Sequence, residues 1–200
     1  MTVKSLTLDV SWPVETEHLV LRPATVDDLD ATWAIRRFDT VSRWLTRAPR
    51  SLEEHRQQFG EPDSLARTLV FTLDGVVIGD LMVAIGDAWA QAEVLVGARA
   101  VQADLGWALH PEHTGRGLAT EALEAVLRIC FDDLVLRRVT ADCFAANERS
   151  WRLMERIGMR REIHSVRDSL HRSGAWLDGY GYALLADEWR AAVAARAGGG

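Results

Sequence analysis

The chain predicts an α/β fold, a mixed sheet carrying helices on both faces. Two observations carry this expectation. β-prone runs at 68–73 and 76–85 are joined by Asp74-Gly75, a dipeptide that signals a two-residue hairpin turn. Strand-like and helix-like runs then alternate: strand at 105–109, helix at 117–131, strand at 138–144, helix at 147–157, and β-prone runs at 159–166 and 180–185. With 200 residues and 48% hydrophobic content, the chain suits one globular domain with a sizeable core.

Residues 1–14 read as an N-terminal arm, 15–190 as the domain and 191–200 as a flexible, Gly-ended tail. The run 19–22 is apolar on alternation and reads as the first strand. Asp27 and Asp28 begin a helical pattern through Leu29, Trp33, Ile35 and Arg36, with the acids complementing the helix dipole. Ser51-Leu52-Glu53-Glu54 resembles a capping box opening a second helix towards Phe59. Segment 86–101 is rich in Ala and Gly and poor in charge, and reads as an extended loop or edge ribbon. It leans over a cleft, mediates self-association or decorates the surface. Leu118, Ala122, Ala125, Val126 and Ile129 recur at helical spacing as one apolar stripe. Gly158 suits a left-handed cap on the helix before it.

Composition narrows the function. A net charge of −6 argues against coating nucleic acid and is compatible with a cationic substrate. Two cysteines, Cys130 and Cys143, are too few for a disulfide framework and suit a reducing cytoplasm. The N-terminus lacks a basic start followed by an apolar run, and no stretch is apolar enough to span a bilayer, so cytoplasmic residence without a membrane partner is expected. The eight tryptophans read as core, with some lining a cleft or an interface.

The most informative segment is 104–122: a short apolar strand, a Pro-marked loop, Gly115-Arg116-Gly117, then an uninterrupted helix. The first turn of a helix has unpaired N–H donors and partial positive charge, so a phosphate is expected there. Arg116 lies inside the loop and could pair with it. A Walker loop would need a Lys-Ser/Thr pair, which is absent; a dinucleotide fingerprint would need a third glycine where Ala119-Thr120 stand.

Thr114-Gly115-Arg116-Gly117-Leu118-Ala119 resembles the acetyl-CoA diphosphate loop of the GNAT superfamily (Gcn5-related N-acetyltransferases), [QR]-x-x-G-x-[GA], with Thr114 in place of Gln or Arg. Residues 15–23 resemble the first strand of the RimJ/RimL-like ribosomal-protein N-acetyltransferase branch. Residues 147–159 are similar to its N-x-x-S helix, and 179–189 to its last strand and exit. The resemblance implies a GNAT fold: a largely antiparallel twisted sheet of about seven strands, with a splayed strand pair forming the cofactor cleft. It implies direct acetyl transfer from acetyl-CoA to a primary amine, with no metal.

The resemblance also implies roles. The diphosphate is held by Thr114, Gly115, Arg116, Gly117, Leu118, Ala119 and Thr120, with Leu109 and His110 beside the acyl arm. Leu109 supplies a backbone partner for the oxyanion. Asp104 takes the place of a Glu that acts as base through water; otherwise it is a solvated strand-start residue. Asn147 holds the pantetheine amide or caps its helix, and Ser150 hydrogen-bonds the thiolate. His110 is a second candidate base or a solvated loop residue. Cys143 reads as a small core residue and Arg152 as a surface ion-pair partner of Glu148. His113, His164 and His171 lack metal-ligand spacing. The acceptor could be a protein N-terminus, an aminoglycoside, a polyamine or a metabolite amine. Glu17, Trp33, Trp44, Trp176 and Asp178 are its candidate liners. A CoA-binding module without transferase activity is the alternative. A homodimer is compatible with the apolar 86–101 segment and the surplus of tryptophan.

Overall fold

Two short strands open the described chain, which in this computed structural model covers residues 10–198. The expected N-terminal arm therefore lies outside the described residues up to position 9. Its last residue belongs to β1 (Val14–Glu15), which pairs antiparallel with β2 (Leu19–Pro23). Arg22 on β2 donates two bonds to Asp28, at 2.7 and 2.8 Å. That pair turns the chain through a 3-10 turn, Val26–Asp28, into α1 (Leu29–Arg36). Asp28 thus works as a buried ion-pair partner as well as a helix-start acid.

α2 (Asp39–Ser42), α3 (Leu52–Phe59) and α4 (Pro62–Leu65) follow. Ser51 caps α3 by accepting the Glu54 N–H at 3.1 Å. The reciprocal half of the expected capping box is redirected, because the Glu54 carboxylate accepts from the Arg50 N–H and guanidinium. α1 and α3 are joined by buried polar groups: Thr32 Oγ1 lies 2.9 Å from His55 Nε2, and the His55 ring sits between Trp33 and Phe59.

β3 (Thr68–Leu73) and β4 (Val76–Gly86) form the expected hairpin, paired from Leu73↔Val76 to Thr68↔Met82. Asp74 and Gly75 take φ values of 49° and 80°, the pair of left-handed residues that a tight hairpin turn needs. Segment 86–101, expected as an extended loop or an edge ribbon, is a coiled loop and adds no strand. It leaves β4 and coils through a 3-10 stretch, Ala92–Ala98, closed at its base by Ala88 N–H donating to the Ala98 carbonyl and Ala100 N–H to Asp87.

β5 (Gln102–Leu109) leads to a 3-10 turn, Pro111–His113, and then to α5 (Leu118–Arg128). The whole predicted stripe of α5 is buried. The helix widens at its end into a π turn, Ile129–Asp133, where the Leu134 N–H reaches back to the Ile129 carbonyl. β6 (Arg138–Phe144), α6 (Glu148–Arg156), β7 (Arg160–Leu170), β8 (Trp176–Leu185) and α7 (Ala186–Gly198) complete the chain. Gly158 takes φ 89°, the expected left-handed cap after α6. The stretch read as a flexible tail from 191 is helix to Gly198; residues 199–200 lie outside the described ones. Its run of alanines has high helix propensity but no apolar stripe to advertise it.

The strands hydrogen-bond in the order β1-β2-β3-β4-β5-β6-β8-β7, eight where about seven were expected; β1 is the addition. β1–β2, β2–β3, β3–β4, β6–β8 and β7–β8 pair antiparallel, and β5 pairs parallel with β6. The chain forms two compact units. One contains residues up to Ala84 with Leu105–Val126; the other contains Ile85–Asp104 with residues from Leu127 onward. In the first, Leu19, Leu21, Leu69, Phe71, Ile78 and Leu81 are buried. In the second, Val139, Ala141, Tyr182 and Leu184 alternate on β6 and β8, and Leu153 and Met154 are the buried face of α6.

His55 makes stability depend on pH. Burial is the main cause that lowers its pKa from 6.5 to about 4, and the nearby Arg36 charge adds to it. The folded chain keeps His55 neutral while the unfolded chain protonates it below pH 6.5, so its contribution is full above that pH and is lost as pH falls towards 4. Urea unfolding at pH 7 and pH 4.5 should show a loss of roughly 2–3 kcal/mol assignable to this group. His55→Gln should flatten that part of the dependence; an unchanged pH slope would remove His55 as its cause.

Candidate active site

In the first unit, β5 ends at Leu109 and the His110 N–H donates to the Ile78 carbonyl of β4 at 2.8 Å. His110 then caps the 3-10 turn, its Nδ1 accepting the Glu112 N–H at 3.3 Å. Thr114 closes that turn: its hydroxyl donates to the Pro111 carbonyl at 2.7 Å. The Thr114 side chain is therefore committed to the loop's own backbone. Gly115 and Gly117 take φ values of 80° and 82°, a conformation that L side chains rarely adopt. An added Cβ at either would meet nothing within 4 Å, so backbone conformation rather than crowding calls for glycine here.

Residues 114–117 are exposed, and the first bond of α5 runs from the Glu121 N–H to the Gly117 carbonyl at 3.0 Å. The amides before it open the helix, where partial positive charge gathers. Arg116 folds back so that Nη1 lies 3.2 Å from His113 Nδ1. One turn into α5, Glu121 accepts from Thr16 Oγ1 at 2.6 Å and from the His18 N–H at 2.7 Å. Burial works against its ionised form, but these bonds outweigh it and hold the carboxyl below its ordinary range. The start of α5 is thus tied to the β1–β2 turn, beside which Glu17 is exposed.

Opposite the end of β5, Gly79 is sterically required: a Cβ there would lie 2.6 Å from the Ala108 carbonyl oxygen and 1.9 Å from Phe71. The next residue, Asp80, is buried and bound in bidentate fashion by Arg36 of α1, with Nε donating to Oδ2 at 3.1 Å. Just past that helix, the Phe38 ring meets His110 edge-on at 5.0 Å. Arg36, Asp80, His55 and Phe38 escaped the sequence reading. An aspartate inside the apolar run 76–85 was the one local signal for a buried partner.

In the second unit, β5 and β6 pair over three rungs, Gln102–Asp104 with Arg138–Thr140, and both strands continue beyond them. Asp104 sits exposed on the last rung and accepts the Thr140 hydroxyl at 3.3 Å. Asn147 precedes α6, but its side chain makes no capping bond, which leaves that amide available. Ser150 lies against the Cys143 thiol. Burial chiefly, with the Asp142 charge, pushes that thiol up to about 11, and the Ser150 bond opposes them. Cys143 is therefore a half-buried neutral thiol beside Ser150 rather than a fully buried core residue. Arg152 pairs with Glu148 at 2.9 Å, as expected.

The other candidate liners are dispersed. Trp33 packs on His55; Trp44 carries Arg43 over its ring at 6.0 Å. Trp176 is exposed on β8. Asp178 accepts from Arg167 N–H and lies 2.9 Å from His164 Nε2. Among the described residues no group of three His, Cys, Asp or Glu is placed to hold a metal, and no helix is long and apolar enough to cross a membrane.

A strand, a left-handed glycine pair and an exposed helix start make a candidate anion-binding site. The model of the acetyltransferase (GNAT) domain matches residues 18–160, and the chain belongs to that family. It is 37% identical over 86 residues to the uncharacterized N-acetyltransferase YnaD of Bacillus subtilis, covering 43% of this chain and 50% of that one. The chain spans about half the length of the first curated relatives it matches. A GNAT-family acetyltransferase from Bacillus anthracis superposes with a TM-score of 0.73 at 25% identity, covering 88% of this chain and 99% of the other. Mycobacterium smegmatis RimJ, solved in complex with CoA-disulfide, gives 0.68 at 25% identity, over 85% and 83%.

The buried Arg36–Asp80 pair yields a direct expectation. Arg36→Met should cost about 3–5 kcal/mol, because it strands a buried carboxylate. Arg36→Met with Asp80→Leu should recover most of that loss in urea unfolding. Equal instability of single and double variants would mean the pair matters through packing alone.

Proposed function

We propose that the chain is an acetyl-CoA-dependent N-acetyltransferase that passes an acetyl group directly to a primary amine. The observation that carries this reading is the exposed turn 114–117, with left-handed glycines opening α5. Family membership and the RimJ complex support CoA as its ligand. Bound acetyl-CoA supplies the acyl group as a thioester. The backbone amides of 115–120, aided by Arg116, hold the diphosphate, the Thr114 N–H being spent on the Pro111 carbonyl. The uncommitted Asn147 amide holds the pantetheine arm beside the open end of the β5–β6 ladder.

The Leu109 N–H donates to the carbonyl oxygen as negative charge develops on it. Asp104, exposed where that ladder ends, takes the amine proton through a water. The Ser150 hydroxyl donates to the departing sulfur. A raised Cys143 thiol is a poor nucleophile at neutral pH, which supports direct transfer rather than an acyl-cysteine. The Thr114 hydroxyl, spent on Pro111, adds no side-chain bond to the ligand, and a CoA-binding module without turnover is the second reading.

Thiol release measured across a panel of amines separates the two readings: turnover on at least one amine is expected, and CoA binding without turnover on any would favour the module. Gly117→Val should abolish acetyl-CoA binding in calorimetry while the fold persists, since valine resists the left-handed turn. Wild-type affinity in the folded variant would place the ligand elsewhere. Ser150→Ala should lower kcat by about 10- to 100-fold, with acetyl-CoA affinity changed far less; equal losses would assign Ser150 to ground-state binding.

A further inference from the structure

We infer that Asp142 determines which acceptor is used: it receives the second ammonium group of a short aliphatic diamine whose other nitrogen takes the acetyl group. This rests on the acetyl-transfer reading above and names its acceptor class. In the second unit, strands β5 to β8 carry the carboxylates of Asp104, Asp142, Glu162, Asp168 and Asp178. Asp104 accepts the Thr140 hydroxyl, and Glu162 is held by Arg138 and Arg160. Asp168 accepts from Ser169, and Asp178 from the Arg167 N–H with His164 beside it. Asp142 of β6 differs from these: it makes no hydrogen bond or ion pair among the described residues. It is exposed, so a ligand can reach it.

Its place on the sheet ties it to the proposed chemistry. Thr140 and Asp142 are two positions apart on β6 and share a face, while Val139, Ala141 and Cys143 take the other. The β6–β8 register runs unbroken from Arg138 to Phe144, so no bulge upsets that alternation. Cys143 lies against Ser150 of α6, the group proposed to meet the departing sulfur. Asp142 therefore faces away from that side of β6. It shares the side of Thr140, whose hydroxyl binds Asp104, the proposed acceptor of the amine proton. Positions two apart along a strand are separated by about 7 Å. Across from Asp142, Gly181 of β8 clears its place: a Cβ there would lie 2.9 Å from Asp142 Oδ1 and 3.1 Å from Ile163.

A carboxylate left in that position calls for a cation. The strands around Asp142 withdraw enough water to push its carboxyl above the ordinary carboxylate range, and no positive charge opposes the shift. An ammonium brought by a ligand supplies the missing partner through a charge-assisted hydrogen bond. The reacting nitrogen cannot stay in that role, because it must give up its proton towards Asp104 before it attacks. A second nitrogen a few methylenes away keeps its proton and stays on Asp142 while the first reacts. An acceptor whose far end is neutral gains nothing there, and one whose far end is a carboxylate is repelled.

The test uses acceptors of matched length that differ in the charge of the far end: 1,4-diaminobutane, butylamine and 4-aminobutanoate. Thiol release from acetyl-CoA gives kcat/KM, and calorimetry gives amine binding to the CoA-saturated protein. The diamine should exceed butylamine by about tenfold or more in kcat/KM, mostly through KM, with 4-aminobutanoate lowest. Asp142→Asn should lower the diamine-to-butylamine ratio by about fivefold or more, and Asp142→Glu, which keeps the charge, should retain most of it. Equal use of the amines, preference for 4-aminobutanoate, or an unchanged ratio in Asp142→Asn would overturn the inference. Weakened acetyl-CoA binding in Asp142→Asn would overturn it too, by assigning Asp142 to the cofactor. Selective binding of the diamine, lost in Asp142→Asn, without turnover of any acceptor would uphold the second-ammonium site and sink the acetyl-transfer reading; turnover without charge preference would do the reverse.

Discussion

The exposed start of α5 is the constraint on which the functional account depends. Left-handed backbone at Gly115 and Gly117 lets the chain leave β5, fold through the Pro111–His113 turn and enter a helix within a few residues. A helix start is the one place in a protein where several adjacent amides lack internal acceptors. Most such ends are capped by side chains. Here Thr114, the nearest hydroxyl on the loop, donates to Pro111 instead, and the loop keeps its backbone open to solvent. Glu121 then ties the first turns of α5 to the β1–β2 turn, so the amides are held on a fixed element.

Around that end the first unit is stiffened by polar groups in an apolar setting. Arg36 and Asp80 form a paired charge between α1 and β4, and neutral His55 bonds Thr32 between α3 and α1. Such groups cost free energy to bury and tolerate few alternative arrangements, so they specify where the helices sit on their strands. Gly79 acts by absence: only a residue without a Cβ lets β4 run this close to the Ala108 carbonyl. The second unit has its own organisation, with Glu162 held to about 2 by hydrogen bonds from Arg138 and Arg160, and α7 docked through Arg160 and Glu188.

Much of the fold was legible because its signals are local. Asp74-Gly75 dictates a hairpin turn by its own dihedrals, Gly158 ends α6 for the same reason, and the α5 stripe lies within a dozen residues. The glycine turn that opens α5 is equally local. What the sequence concealed is pairing over distance. Arg36 and Asp80 are 44 residues apart, and neither has a neighbour that betrays the other. Nothing beside His55 in the sequence marks it as a buried bond to Thr32 of α1. For segment 86–101 the choice between loop and edge ribbon stayed open because its alanines and glycines carry no periodicity, while the Ala88–Ala98 and Asp87–Ala100 bonds that coil it are invisible in composition. Of the candidate site, Ser150 and Asn147 were proposed from family likeness; the contact of Ser150 with Cys143 needed the tertiary register.

The most direct measurement is an amide ¹⁵N–¹H titration of the protein with coenzyme A. Saturable shifts concentrated on the amides of Gly115 to Thr120, present with coenzyme A and absent with a pantetheine lacking the diphosphate, are the predicted result. Shifts that cluster elsewhere while this loop stays silent would contradict the account at its root.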